Sequence, residues 1–173
     1  MLELSGEERR PVPAALFDRR PLVRRRRGID LAPRDVTRAE DMLLLKSFVW
    51  ADQLDRLERF DRAVETLREA PPELEQGDAV ERLPELLAER DLGGLTVVFQ
   101  TAVRGYIGRD EWKRLMVAVD EAGKQFPLAL VSVSQPEAGE HRYWGVWLRI
   151  WPGGEKRLLA HAGFHGQWLE WLA

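Results

Sequence analysis

The stretch Leu74–Tyr106, LEQGDAVERLPELLAERDLGGLTVVFQTAVRGY, constrains the fold more than any other part of the chain. It reads as strand, tight turn, helix, strand, turn. A short strand over Leu74–Gln76 runs into Gly77-Asp78-Ala79. An amphipathic helix follows, with Pro84 expected in its first turn, where a missing N–H costs nothing. Leu95–Phe99 then reads as a buried strand. Two strands joined by a helical crossover are nearly always parallel and right-handed. A parallel sheet of this kind binds ligands beyond the carboxyl ends of its strands. Asp78 and the segment Gln100–Tyr106 are expected at those ends.

The rest of the chain extends this pattern. Leu2–Ser5 alternates and predicts a brief strand; residues 6–27, with Pro11, Pro13 and Pro21, predict an extended connection. Gly28–Pro33 predicts a short extended segment, because the residue before a proline is pushed away from helix. Thr37-Arg38-Ala39-Glu40 has the form of a capping box, and Asp52 that of a second cap. Leu54, Leu57, Val64 and Leu67 recur at helical spacing up to Pro71-Pro72. Asp110 is a candidate cap for a helix presenting Trp112, Leu115, Met116 and Val119, and Gly123 a candidate left-handed stop. Leu128–Val133 is nearly continuous apolar, as in a strand covered on both faces. Trp144–Ile150 alternates, Pro152-Gly153-Gly154-Glu155 turns, and Arg157–Ala162 returns, which predicts a hairpin. Trp168–Leu172 reads as a closing helical turn.

The implied architecture is α/β: a Rossmann-like three-layer sandwich with a mostly parallel sheet and a C-terminal antiparallel hairpin. One domain is expected over residues 1–173. Within it lie a strand and an Arg/Pro-rich extended connection (1–36), a helical pair (37–70) and the α/β core (71–173).

Composition narrows the function. The chain of 173 residues has no cysteine, which excludes disulfides and thiolate zinc sites. No apolar run approaches the roughly 18–20 residues of a membrane span, and MLELSGEERR carries charges where an export signal needs an apolar core. A cytoplasmic location is the expectation. The net charge is −3. Residues 1–38 hold ten arginines against six acids, a balance of +4, so the remainder carries −7. Arg19, Arg20 and Arg24–Arg27 concentrate the positive charge and could hold phosphates. Aromatic residues do not interleave that run, so a nucleic-acid role ranks last. Gly93-Gly94 precedes a strand and Gly153-Gly154 lies in a hairpin; neither opens a helix as a phosphate loop does.

Five ordered motifs then carry a family resemblance: GIDLAPRDV (Gly28–Val36), VWADQLDRLERFDRA (Val49–Ala63), GDAVERLP (Gly77–Pro84), VVFQTAVRGYI (Val97–Ile107) and HGQWLEWL (His165–Leu172). Together they resemble the C-terminal half of the bacterial family known as domain of unknown function 2332. Full-length members look like class I S-adenosylmethionine-dependent methyltransferases. The resemblance implies that Leu2–Ser5, Leu74–Gln76, Leu95–Gln100 and Leu128–Val133 correspond to the second to fifth strands of that fold. It further implies that the first strand and its glycine-rich loop lie upstream of this chain. The gap in the sheet would then be closed by a shifted strand, by a partner chain or by a second copy.

The same resemblance implies the candidate site. S-adenosylmethionine would meet Asp78, Ala79, Gln100 and Thr101, with Asp78 against the adenine. Tyr106 and His165 would face an unidentified small-molecule substrate, His165 as base or polar contact. Read from its own residues, Asp78 is equally a cap for the helix after it. His161 and His165 have the spacing of a helical metal pair, but Gly163 and Gly166 argue against a helix there, and no metal is expected. The five tryptophans from Trp144 to Trp171 read first as hairpin packing and second as an aromatic platform. Two functions stand side by side: a methyltransferase-like enzyme, and a non-catalytic binding or assembly module completed by a partner or second copy.

Overall fold

The computed structural model describes residues 6–18, 21–89, 93–136 and 142–173. In chain order the elements are β1 (Glu7–Arg10), β2 (Arg27–Asp30), α1 (Ala39–Ser47), α2 (Leu54–Glu69), β3 (Glu73–Gln76) and α3 (Ala79–Ala88). They continue with β4 (Thr96–Thr101), α4 (Arg109–Gln125), β5 (Leu128–Ser134), β6 (Trp144–Trp151), β7 (Glu155–Ala162) and β8 (Trp168–Trp171). Short 3₁₀ turns occupy Ala14–Leu16 and Val103–Tyr106. The expected strand Leu2–Ser5 and the arginines Arg19 and Arg20 lie outside the described residues. The chain forms two compact units, one of Leu22–Arg82 and one of the described residues on either side of it.

In the smaller unit β2 and β3 pair in parallel, with Arg27 opposite Glu73 and Asp30 opposite Gln76. The strand beside Leu74–Gln76 is therefore the GID segment, which sequence suggested only as extended. Side-chain charge explains the match. Arg25 grips Glu73 through two contacts, at 3.0 and 2.5 Å. Arg27 and Arg82 converge on Glu75, the latter at 2.6 Å. Much of the described arginine run is thus engaged within its own unit. Both expected caps are corrected. Thr37 donates its hydroxyl to Asp35 at 2.6 Å, so it is not free for helix α1. Residue Gln53, not Asp52, precedes α2, and it makes no side-chain cap bond.

In the larger unit six strands form one sheet in the order β1-β8-β7-β6-β5-β4. β4 with β5 and β1 with β8 are parallel; the three pairings between them are antiparallel. The sheet is mixed, rather than mostly parallel. The hairpin of β6 and β7 stands where alternation predicted it, but Trp168–Trp171 is a strand instead of a helical turn. Its register against β7, Ala160 opposite Trp171, decides the matter.

Helices α3 and α4 pack on one face of this sheet. Leu87, Val119, Phe126, Leu128, Leu130 and Trp151 form the buried core, with Val98 and Leu83 partly buried against it. Pro84 lies inside α3 and not in its first turn, because the helix begins at Ala79. At α4 the N-cap is Gly108, whose N–H is met by Glu111 at 3.2 Å, and Asp110 already lies within the helix. Gly123 is also interior to α4, buried against Trp151, and does not end the helix.

The opposite face of the sheet continues from Phe99 through Val131 to Leu148, and from Val97 through Ala129 to Ile150. Its β4 side is open. Leu95, Val97 and Phe99 are 60%, 53% and 65% exposed, which overturns the expectation of a buried strand. The physical reason is position: β4 is the last described strand of the sheet, and the described helices of this unit lie on the Val98 side.

Candidate functional site

Two features shape the surface around β4: the rim at its carboxyl end and its free edge. At the rim, the carboxamide nitrogen of Gln100 donates to the Ser132 hydroxyl on β5. The Gln100 carbonyl oxygen is buried without a partner among the described atoms. Thr101 is exposed. Ala102 follows in a left-handed conformation, φ 62°, which a residue with a side chain seldom adopts. That residue turns the chain out of the sheet and into Val103–Tyr106. Tyr106 ends this turn 92% exposed. Beside it Arg104 lies over the Trp112 ring at 5.2 Å and donates to the Ile107 carbonyl at 3.1 Å.

His165 lies in the β7–β8 turn, exposed, its backbone N–H donating to the Gln167 side chain at 3.1 Å. β7 runs parallel to β4 through two antiparallel steps and one parallel step, so this turn lies at the same end of the sheet as Thr101. β6 and β5 stand between them, which separates the two by roughly 14 Å at ordinary strand spacing. The structure does not bring His165 and Tyr106 into one constellation.

His161 takes another route. It sits on β7, and its Nδ1 lies 3.5 Å from the Glu170 carboxylate on β8. The Tyr143 ring is 4.4 Å from the imidazole between centroids. Arg10 approaches the same carboxylate at 3.9 Å. This cluster fastens β7, β8 and β1 side by side. No group of three metal-ligating side chains occurs among the described residues.

In the smaller unit Asp78 is exposed just beyond β3, and its carboxylate accepts the Val80 N–H at 2.7 Å. Its backbone carbonyl receives the Arg82 N–H at 2.9 Å. Asp78 caps α3, and Ala79 opens that helix.

The open hollows are shallow. One of about 500 Å³ lies between α4 and the β6–β7 turn, lined by Val117, Asp120, Lys124 and Trp151. Its two acids are already engaged: Asp120 Oδ1 accepts from Arg149 at 2.8 Å and from the Trp151 indole at 3.1 Å, and Glu121 pairs with Lys124 at 2.6 Å. A smaller one, about 280 Å³, is bordered by Arg24–Arg26 and Glu73.

The family resemblance implied an open edge in the sheet without assigning it to a strand; among the described residues the open edge is that of β4. The Thr96 N–H reaches the Pro127 carbonyl at 3.1 Å, and the Ala102 N–H reaches that of Val133 at 2.8 Å. Even-numbered residues of β4 therefore direct their backbone groups at β5. Val97, Phe99 and Thr101 direct theirs outward, on the side where the described sheet ends. The same three side chains are the exposed ones. A signal was available: Gly93–Val103 holds no charged residue in a chain that is 32% charged, so no charge guards this edge.

Fold and surface together define an α/β protein with a mixed sheet and an open, apolar strand edge. The chain belongs to the family described as an uncharacterized protein conserved in bacteria (DUF2332), whose model matches residues 2–171. No curated protein and no solved structure matches it. No helix among the described residues is long and apolar enough to cross a membrane.

Proposed function

We propose that the chain is a non-catalytic binding and assembly module that takes up one additional β-strand along β4. One observation carries this reading. The outward backbone groups of Val97, Phe99 and Thr101 lie on the last described strand of the sheet, and Val97 and Phe99 are more than half exposed. Natural sheets blunt such edges with charge, proline, bulges or a covering element. β4 has no charge and no proline, and its pairing with β5 shows no register shift. An extended partner would gain main-chain hydrogen bonds along the edge and apolar contact on alternate side chains. Amide hydrogen exchange tests the reading. A synthetic peptide copying residues 95–102 should slow exchange at Val97, Phe99 and Thr101 while leaving Val98 unchanged. Unchanged exchange at all three, with peptide at millimolar concentration, would overturn it.

The family resemblance supplies a second reading, an S-adenosylmethionine-dependent methyltransferase acting on a small molecule. The parallel pairs β2–β3 and β4–β5 favour it. In this reading Asp78, Ala79, Gln100 and Thr101 meet the cofactor, while Tyr106 and His165 face substrate. The side chains fit that role poorly. The Asp78 carboxylate serves as a helix cap, the Gln100 amide nitrogen is held by Ser132, and His165 stands three strand spacings from β4. Calorimetric titration with S-adenosylmethionine separates the readings: heat of binding favours the enzyme, and its absence removes cofactor binding by this chain.

A further inference from the structure

Granted a strand-accepting edge, we infer that its occupant is β4 of a second copy of this chain, laid antiparallel with Phe99 on the two-fold axis. The inference rests on the reading above and adds the partner and its register. Three observations select a second copy.

First, residues 93–103 are uncharged, so the edge offers no electrostatic handle by which to choose a charged foreign strand. Two such edges meet without like-charge repulsion, which is the complementarity that self-pairing requires.

Second, the outward residues are symmetric about Phe99. In antiparallel pairing, residues that both point their backbone groups at the partner form the closely hydrogen-bonded pairs. Centring on Phe99 sets Phe99 opposite Phe99, and Val97 opposite Thr101 in both directions. Every outward donor and acceptor of the strand is then satisfied reciprocally, as an isologous interface demands. Both strands also keep their Phe99 side on one face, so the two sheets continue into each other.

Third, the exposed apolar side chains match this register. Phe99, 65% exposed, meets its own copy at the centre, with Val97, 53% exposed, against Thr101 on either side. Aromatic side chains directly opposite across two strands favour pairing.

The contact is short. It falls below the roughly 800 Å² per partner of a standard interface, so association in the micromolar range is expected.

The chain contains no cysteine, which makes cross-linking unambiguous. Closely hydrogen-bonded residues in an antiparallel pair have Cα atoms about 5.5 Å apart, within disulfide range. Phe99→Cys, at an exposed position, should therefore oxidise to a covalent dimer in most of the sample. Val97→Cys alone should not, because its opposite residue is Thr101. Val97→Cys combined with Thr101→Cys should link again. Native mass measurement of the unmodified chain at about 100 μM should show a dimer that Phe99→Lys abolishes. A monomer at that concentration, with Phe99→Cys unlinked, would overturn the inference. If the peptide copying residues 95–102 still protected the outward amides, the edge would stand as a strand acceptor and only the second copy would fall. If Val97→Cys linked as readily as Phe99→Cys, the register would be wrong.

Discussion

A Cβ on Gly123 would collide with Cγ and Cδ1 of Trp151, so α4 meets β6 as bare backbone against an indole ring. Both residues are buried, and Trp151 is only 4% exposed. Glycine inside a helix costs about 1 kcal/mol relative to alanine. The close approach accounts for its presence here. The ring lies under α4 and sends its indole N–H to Asp120, one turn earlier on the same helix.

Gly123→Ala should therefore destabilise the chain despite alanine's better helix propensity. Overpacking a filled core costs about 1–3 kcal/mol, which exceeds the propensity gain or at least cancels it. The urea midpoint should fall or fail to rise. A rise of the size seen for glycine-to-alanine changes at open helix positions would show that the ring moves aside freely.

Asp120 joins the same contact. One carboxylate oxygen accepts from both Arg149 and Trp151, while Arg149 lies over the Trp151 ring at 4.6 Å and also donates to the Gly154 carbonyl at 2.9 Å. Asp120→Ala leaves a buried indole N–H and a partly buried guanidinium without this acceptor, and a loss of about 1–2 kcal/mol is expected. Glu121, one residue on, pairs with Lys124 at the surface. Glu121→Ala should change stability by no more than a few tenths of a kcal/mol. Equal effects of the two substitutions in equilibrium unfolding would contradict this assignment.

Much of the larger unit was legible because its signals are local. Continuous apolar character over Leu128–Val133 marked a strand, and β5 lies inside the sheet, although the described helices cover one of its faces and not both as expected. Alternation in Trp144–Ile150, a turn of Pro-Gly-Gly-Glu and a return strand located the hairpin. Partner choice was not local. Nothing within Gly28–Asp30 says that it pairs with Leu74–Gln76; the answer lies in arginines 25 and 27 meeting glutamates 73 and 75. A four-residue run such as Trp168–Trp171 is too short for period to separate helix from strand, and register against β7 settles it. The exposure of Phe99 was hidden for a further reason. An apolar strand reads the same whether or not a neighbour lies beside it, so openness belongs to the sheet and not to the strand. Among the candidate site residues, the sequence located Asp78 at a helix start and Gln100–Thr101 at a strand end. It could not show that β5 and β6 stand between Thr101 and His165.

The smaller unit should be sensitive to acid. Hydrogen bonds from Arg82 and then Arg27 hold the Glu75 carboxyl below its ordinary range, and Arg25 does the same for Glu73. Lowered folded values mean that the folded state releases its protons more readily than the unfolded chain. The stabilising contribution is thus fully present above the unfolded glutamate value of about 4.3, and it fades as pH falls through the lower folded values. Protection of the Glu73 and Gly77 amides, which donate to Arg26 and Asp30, should decline over that range. Glu75→Gln should flatten the decline. A pH-independent protection factor between pH 6 and 3 would mean that these pairs do not support the β2–β3 ladder.

Proline substitution along β4 should give an alternating response. Proline removes a backbone donor and fixes φ, which an edge strand tolerates only where the N–H faces away from the sheet. The Val98 N–H lies on the β5 side, in step with those of Thr96 and Ala102, whose bonds to β5 carbonyls measure 3.1 and 2.8 Å. Val98→Pro should therefore break a ladder bond beside the core and leave a β5 carbonyl unpaired, which costs about 1–3 kcal/mol. The Phe99 N–H points outward, and the extended backbone that proline imposes on residue 98 is the one already present. Phe99→Pro should leave the sheet folded, with a loss well under that of Val98→Pro, while removing the central donor of the free edge. The exposed Phe99 ring contributes little burial to lose, so the comparison reads backbone direction and not packing. Paired measurements of urea midpoint and peptide-induced amide protection then report separately on folding and on strand uptake. If Phe99→Pro unfolded the chain as severely as Val98→Pro, the Phe99 N–H would belong to the sheet, and β4 would have no edge to offer.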